Sequence, residues 1–410
     1  MTTTTPAQAA DPGPVSGPIS ASTVAPASSA KPGRLISLDT VRGLTIAFMI
    51  MVNNNGSEHT AWWFMKHADW NGMTPTDLVF PTFLFVVGAS IVFAFHARLA
   101  KGATRAELAW QTVRRAATLF CFGVIVNNFG GVLNNVSHLN PGTWRIYGVL
   151  QRIAICYLIA SLFYLWDRRW QSKIVIIIAC LVFYYILMRW IPVPGYGMPG
   201  RDIPFLDKDA QWVAYVDRKL GLGSLYEGTR DPEGLISDIP ALATALLGIV
   251  TGIWLRTQKT LAEKAKGLAI GAVTLLILGF TWSIWFPLNK KLWTSSYVLA
   301  AAGISMSVLT LFFWIVEVKN HRGKWMYPML VFGSNSILAY MFSETIGGFV
   351  SLFPFNDNGH RTNLFSWAWV HGFNHIPDPG WASFAFSFCF MLMCYIPVWI
   401  CYKKKIFLKV

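Results

Sequence analysis

Residues Lys66–Ser90 read KHADWNGMTPTDLVFPTFLFVVGAS, and the stretch changes character midway. From Leu78 onward it is apolar enough to enter a bilayer, whereas His67, Asp69, Trp70, Asn71, Thr74, Thr76 and Asp77 crowd its first half. The pattern sets an imidazole at the mouth of a transmembrane helix, with two carboxylates close by in sequence. Histidine is the side chain whose unperturbed pKa lies near neutrality, which suits proton transfer or acceptance of an acyl group. Asn71-Gly72 and Thr74-Pro75 are turn signals, so an ordinary connecting turn is the competing reading.

The rest of the chain agrees with the apolar half. Of its 410 residues, 54% are hydrophobic and 13% charged, with a mean hydropathy of +0.44. A soluble domain carries about 25% charged residues. The expectation is an all-α polytopic membrane protein, and nineteen Trp and twenty-nine Phe supply bulk for lipid contact and interfacial belts. The net charge of +14 does not come as a basic patch interleaved with aromatics, so nucleic acid is not an expected partner. It gathers in short loops instead. The six cysteines lie in or beside apolar segments without metal-ligand spacing, and read as packing residues. There is no HExxH, Walker loop, GxSxG or dinucleotide fingerprint, so no metal and no nucleotide fold of a soluble type is expected.

Residues 1–33 are rich in Thr, Ala, Pro and Ser and are expected to be a disordered tail. They lack the basic start and apolar core of a signal peptide, so targeting is expected to rest on the first transmembrane helix. Residues 34–410 form the membrane domain. About ten apolar segments are long enough to span hydrocarbon, near 36–54, 78–99, 107–127, 145–166, 172–191, 238–256, 267–286, 293–317, 328–349 and 381–402. With alternating helices, one side receives Lys31, Arg34, Arg98, Lys101, Arg105, Arg168, Arg169, Lys173, Arg256, Lys259, Lys264, Lys266, Lys319, Arg322, Lys324 and the tail lysines 403–405 and 409. The positive-inside bias makes that side cytoplasmic, with both termini on it and His67 facing the outer compartment. The long outer loop, about 192–237, reads either as a cap over a site or as a passive connection.

Ionisable groups inside the bilayer need a partner, a cavity or a task. Asp39 and Arg42 share a helix face at i, i+3 and read as a structural pair. Arg145 and Arg152 lie seven residues apart on one face of the fourth span, suited either to helix-packing ion pairs or to a cationic lining for phosphate or carboxylate. Glu344 either neutralises Arg152 or lines the cavity that holds His67. Asn289, Lys290 and Trp293 sit where an interfacial anchor is the ordinary expectation. Asn53, Asn54 and Asn55 close the first helix, as caps or as donors to a developing oxyanion. His59 is a weaker alternative to His67, and the remaining histidines, among them His138 and His371, read as solvated or structural.

The His67 segment, with SLDTVRG and MVNNNG ahead of it and RIYGVLQRIAI, DPEGLISDIPALATALLGIVTG, FPLNKKLWTSSYV and FGSNSILAY following in order, resembles the lysosomal heparan-α-glucosaminide N-acetyltransferase family and its bacterial relatives. The likeness runs from Arg34 to the C-terminus. It implies transfer of an acetyl group from cytoplasmic acetyl-CoA to an amino sugar across the membrane, in a bacterial inner membrane. It implies His67 as the catalytic residue, acting as general base or transient acyl acceptor, Asn53 at the thioester or its oxyanion, and Asp69 or Asp77 orienting the ring. Asn54, Trp70, Asn71, Arg145, Arg152, Asn289, Lys290, Asn335 and Glu344 make up the candidate substrate- or CoA-binding set. The chain departs from the family in lacking the large luminal N-terminal region and extra helix of the lysosomal enzymes, and in a longer spacing from the Asn motif to His67. A periplasmic amino sugar, such as a peptidoglycan fragment or chitin-derived glucosamine, is the expected acceptor. An amino-sugar permease of the same fold is the alternative, although no inverted repeat is evident. A homodimer stays open, since no dimer motif is readable.

Overall fold

The computed structural model describes residues 1–2, 35–134, 143–352, 354–357 and 359–408. Most of the expected tail over 1–33, together with His138 and Lys409, lies outside the described residues. From Leu35 onward the chain forms a bundle of helices that alternate in direction. Its first passes are α1 (Ile36–Asn53), α2 (Val79–Leu99), α3 (Arg105–Asn134), α4 (Val149–Trp166) and α5 (Trp170–Trp190). A short α6 (Trp212–Leu220) interrupts the long connection that follows. Next come α7 (Asp238–Leu255), α8 (Leu261–Trp282) and α9 (Ser295–Phe313), the last prolonged by a π-helical turn over Trp314–Val318. Then α10 (Tyr327–Ser334) and α11 (Ser336–Leu352) form one broken pass. A hairpin of β1 (Phe355–Asp357) and β2 (His360–Thr362) and the short α12 (Leu364–Ala368) precede α13 (Pro379–Lys403).

Among the described residues, eight helices are long and apolar enough to cross a membrane, which makes the chain a polytopic all-α membrane protein. The other two expected spans are occupied by α3 and by the α10–α11 pair. The third helix runs from residue 105 to 134 rather than 107 to 127. Arg105, Glu107, Arg114 and Arg115 lie in its first turns and dilute its apolar character. The ninth span is not one helix: Asn335, at φ −129° and ψ 41°, breaks it in two.

Between the helices, small residues let backbones meet, which is how helices pack where lipid supplies no hydrophobic drive. A Cβ added to Gly88 on α2 would lie 2.0 Å from the Ala245 carbonyl oxygen on α7, and one on Gly248 would lie 2.0 Å from that of Phe85. Gly43 and Gly333 bring α1 and α10 together in the same way.

The connection over 192–237 is not structureless. Gln211 caps α6 by accepting from Val213 N, and Gly221 ends the helix at φ +57°. Leu206 and Val213 bury with Tyr184, Met188, Phe286 and Leu292 in a second apolar cluster at the ends of α5 and α8. This segment forms a packed cap on the end of the bundle that carries His67.

Candidate functional site

The turn between α1 and α2 is fixed on both sides of His67. Asn55 Nδ2 donates to Met65 O at 2.9 Å, and Thr76 Oγ1 donates to Phe64 O at 2.8 Å. Thr74 Oγ1 donates to Lys66 O at 2.6 Å. Asp77, buried in the 3-10 turn Thr76–Leu78 that leads into α2, places its Oδ1 2.6 Å from His67 Nδ1. Its Oδ2 accepts from the backbone N–H groups of Ala68 and Thr74, both at 3.0 Å. Tyr297 Oη donates to the Asp77 carbonyl at 2.5 Å, tying the turn to α9. A carboxylate so supplied with donors is an acceptor towards the ring, so Nδ1 carries the proton and Nε2 presents its lone pair. The His67 side chain is 43% exposed, yet enough protein crowds it that desolvation is the largest influence on its pKa. Burial lowers that pKa below the ordinary histidine value, Lys290 lowers it further, and Asp77 opposes both. The shift favours the neutral imidazole, which stays partly open to solvent. Of the two candidate carboxylates Asp77 holds the ring, whereas Asp69 is exposed and pairs with nothing among the described residues.

The connection between α8 and α9 docks onto this turn. Gly72 N donates to Leu288 O at 2.8 Å, and Asn289 Nδ2 donates to Asn71 Oδ1 at 3.3 Å. Asn289 is buried, and its Oδ1 accepts from Leu292 N at 2.9 Å. Trp70 donates through Nε1 to Leu206 O at 2.9 Å, and the Arg230 guanidinium lies over its ring at 4.7 Å. Lys291 pairs with Glu227 at 2.9 Å. Lys290 beside it is half-buried, and its ammonium has no hydrogen bond or ion pair among the described residues. Burial holds its pKa below the ordinary lysine value, against the pull of Glu233 and Asp77.

Arg145 and Arg152 find their partners in the segment before α7. Arg145 grips Asp231 with Nε and Nη2, each at 2.8 Å, and Nη2 also reaches Glu233 Oε2 at 2.7 Å. Burial opposes the charge on Arg145, but these two carboxylates raise its pKa overall. Arg152, fully buried, donates from Nε to Asp238 Oδ1 at 2.7 Å and stacks 5.0 Å from the Trp293 ring centre. Both arginines are thus taken by carboxylates, and the Arg152 Nη1 atom has no partner. Sequence reading passed over Asp231, Glu233 and Asp238. The signal was present: Arg145 and Arg152 are seven residues apart, as are Asp231 and Asp238, and the two ion pairs span the same 86 residues. Glu344 on α11 lies in the field of Arg145, near Asn53, and forms no ion pair with Arg152. Asn54 bonds back to Ile50 O at 2.9 Å.

His67, Asp77, Lys290, Glu233, Arg145 and Arg152 therefore form one electrostatically connected group, with Asn53 and Glu344 at its margin. Asn335 stands apart. Its amide donates to Ile406 O at 3.0 Å and accepts from Leu408 N at 3.2 Å, where the C-terminal tail folds back on the helix break. His371, read as solvated or structural, lies 2.9 Å from Asp357 at the end of β1. Apolar grooves between α8 and α9 and between α5 and α8 contain none of the His67 group. Among the described residues no cluster of His, Cys, Asp and Glu is arranged to hold a metal ion.

A sequence profile described as "Heparan-alpha-glucosaminide N-acetyltransferase, catalytic" matches residues 34–279, more than half of the chain. The chain belongs to this family. It is 30% identical over 437 residues to the human heparan-alpha-glucosaminide N-acetyltransferase, covering 93% of this chain and 61% of that protein. It is 29% identical over 434 residues to the mouse protein of the same name, covering 92% and 60% respectively. The chain thus spans about three fifths of the length of these relatives. The family match takes in His67, Asp77, Arg145, Arg152 and the acidic segment before α7.

Proposed function

We propose that this chain is a membrane acetyltransferase that moves the acetyl group of acetyl-CoA to the amine of an amino sugar, with His67 as the base. The observation that carries this reading is the 2.6 Å contact between His67 Nδ1 and Asp77 Oδ1 at the mouth of α2. That contact fixes the tautomer and leaves Nε2 unprotonated. The amine nitrogen attacks the thioester carbonyl, the N–C bond forms and the C–S bond breaks. Nε2 takes the proton that the nitrogen loses and returns it to the departing sulfur. Asp77 stabilises the imidazolium in between. Transfer through a short-lived acetyl-imidazole at the same Nε2 uses the same geometry, and ping-pong kinetics would distinguish it. Asn53, exposed at the end of α1, supplies an amide for the oxyanion of the tetrahedral intermediate.

The test is acetyl transfer from labelled acetyl-CoA to glucosamine by the purified protein in detergent. His67→Ala is expected to lower kcat by about 10²–10⁴-fold, the usual contribution of a positioned base. Turnover unchanged in that variant would remove His67 from the mechanism. Glucosamine uptake into proteoliposomes without acetyl-CoA, and with no transfer, would replace the enzyme reading by a permease.

A further inference from the structure

Each charged neighbour of Lys290 has a partner. Lys291 has Glu227, Arg145 has Asp231 and Glu233, Arg152 has Asp238, and Arg230 has Glu227 and Asp209. Lys290 has none among the described residues, although it is half-buried and carries a charge that is costly to leave uncompensated. Its backbone is fixed. Its carbonyl accepts from Trp293 N at 3.1 Å, closing a tight turn, and the Asn289 carbonyl accepts from Thr294 N at 3.1 Å. Trp293 closes that turn at φ +55°, a left-handed conformation rare for a bulky residue. The strain is held by burial of the indole, which donates to Thr244 Oγ1 at 3.2 Å and lies under the Arg152 guanidinium. A strained, fully packed turn thus fixes the backbone from which Lys290 projects, and that turn is docked on the His67 turn through Leu288 O and Asn289. Glu233, with one oxygen on Arg145, acts on both His67 and Lys290. A base, an unpaired lysine and a carboxylate already shared with Arg145 thus belong to one group.

We propose that Lys290 binds an anionic group on the acceptor, so that the preferred acceptor is an acidic amino sugar, carrying a carboxylate or phosphate as well as its amine. Glu233 then faces the incoming ammonium. This rests on the acetyltransferase reading and adds the substrate class to it. The phosphates of CoA have the same chemistry as such an anion. Lys290 is assigned to the acceptor because it lies with His67, Asn71 and Trp70 under the packed cap over 192–237, at the end of the bundle opposite the basic connections between α2 and α3 and between α7 and α8.

The experiment measures binding of glucosamine, glucosamine 6-phosphate and muramic acid to the full chain in detergent by calorimetry without acetyl-CoA, and then kcat/KM for each. The two acidic sugars are expected to bind about tenfold to a hundredfold more tightly than glucosamine, as one hydrogen-bonded charge pair provides. Lys290→Met is expected to abolish the preference and Lys290→Arg to keep most of it, with the unfolding midpoint measured for both. If Lys290→Met does not fold, the wild-type preference and its retention in Lys290→Arg decide. Equal binding of neutral and acidic sugars by the wild type overturns the proposal. So does a preference that survives Lys290→Met while KM for acetyl-CoA rises tenfold, which would give Lys290 to a CoA phosphate. Acidic preference in binding with no transfer to any sugar leaves this site standing and sinks the acetyltransferase; transfer without preference does the reverse.

Discussion

The Asp77 carboxylate has its Oδ2 committed to two backbone donors, and this limits what a replacement can do. In Asp77→Asn the amide must turn its oxygen towards Ala68 N and Thr74 N, which leaves its NH₂ facing His67 Nδ1. Nδ1 then has to accept, and the ring proton moves to Nε2, where the base should be. The expected outcome is a fall in kcat of about 10²-fold or more, the scale of a lost general base. The pH profile gives a second reading of the same contact. Burial and Lys290 hold the His67 pKa below 6.5, so the neutral, active ring persists to lower pH than an ordinary histidine would. kcat/KM is expected to rise with pH to a plateau, with its midpoint below 6.5. Asp77→Asn removes the influence that raises this pKa, so its midpoint should move lower still. A midpoint above 6.5 in the wild type, measured as transfer rate from pH 4.5 to 8, would show that another group controls the reaction. At this scale His67 could be read from sequence because an imidazole at a helix mouth stands out. The choice of Asp77 over Asp69 could not: both are near His67 in sequence, and only the turn through Thr74 and Pro75 brings one of them onto the ring.

Among the elements, the crossing of α4 and α7 shows what the intramembrane charges do. Arg152 and Asp238 meet at 2.7 Å with the guanidinium fully enclosed. Two buried charges gain little over a well-packed apolar pair, but removing one partner strands the other at about 3–5 kcal/mol. Arg152→Met is expected to lower the unfolding midpoint sharply, and Arg152→Met/Asp238→Leu to recover most of the loss, both followed by tryptophan fluorescence in detergent. A single variant as stable as the wild type would mean that the pair holds nothing together. The spans themselves were legible because apolar length is a direct requirement of the bilayer. What escaped was everything set by non-local contact. Asn335 ends α10 because its amide serves the returning tail at Ile406 and Leu408, about seventy residues away, and no periodicity within 328–349 records that. The lengthening of α3 to Asn134 likewise depends on its neighbours, since Asn128 Oδ1 accepts from Arg145 N at 2.9 Å beyond the end of the apolar run.

Across the whole molecule, basic residues outnumber their acidic partners most clearly at one end of the bundle. At the His67 end Arg145, Arg201, Arg230 and Lys291 are matched by Asp231, Glu233, Asp202, Asp209 and Glu227. At the other end, where α2, α4, α7 and α13 finish, Arg169 pairs with Asp167 and Arg322 with Glu317, whereas Lys101, Arg105, Arg256, Lys259 and Lys403–Lys405 form no ion pair with any described residue. Lysine and arginine set topology by their presence in short loops, largely without regard to acids, so this end is the one expected to remain in the cytoplasm. The acetyltransferase reading then requires the two substrates to arrive from opposite faces. In sealed vesicles of known orientation, acetyl-CoA supplied on the face of the α7–α8 connection and amino sugar on the face of His67 should give product on the His67 side. The reversed arrangement should give none. A cysteine placed at Asp69, on a background whose six native cysteines are replaced, should react with an impermeant maleimide in spheroplasts, and one at Lys259 only after lysis. Product formed with both substrates on the His67 side would mean that acetyl-CoA reaches the imidazole without crossing the bundle. The basic end would then have orientation as its sole task, and no path for the thioester would be needed through α1, α4 and α11.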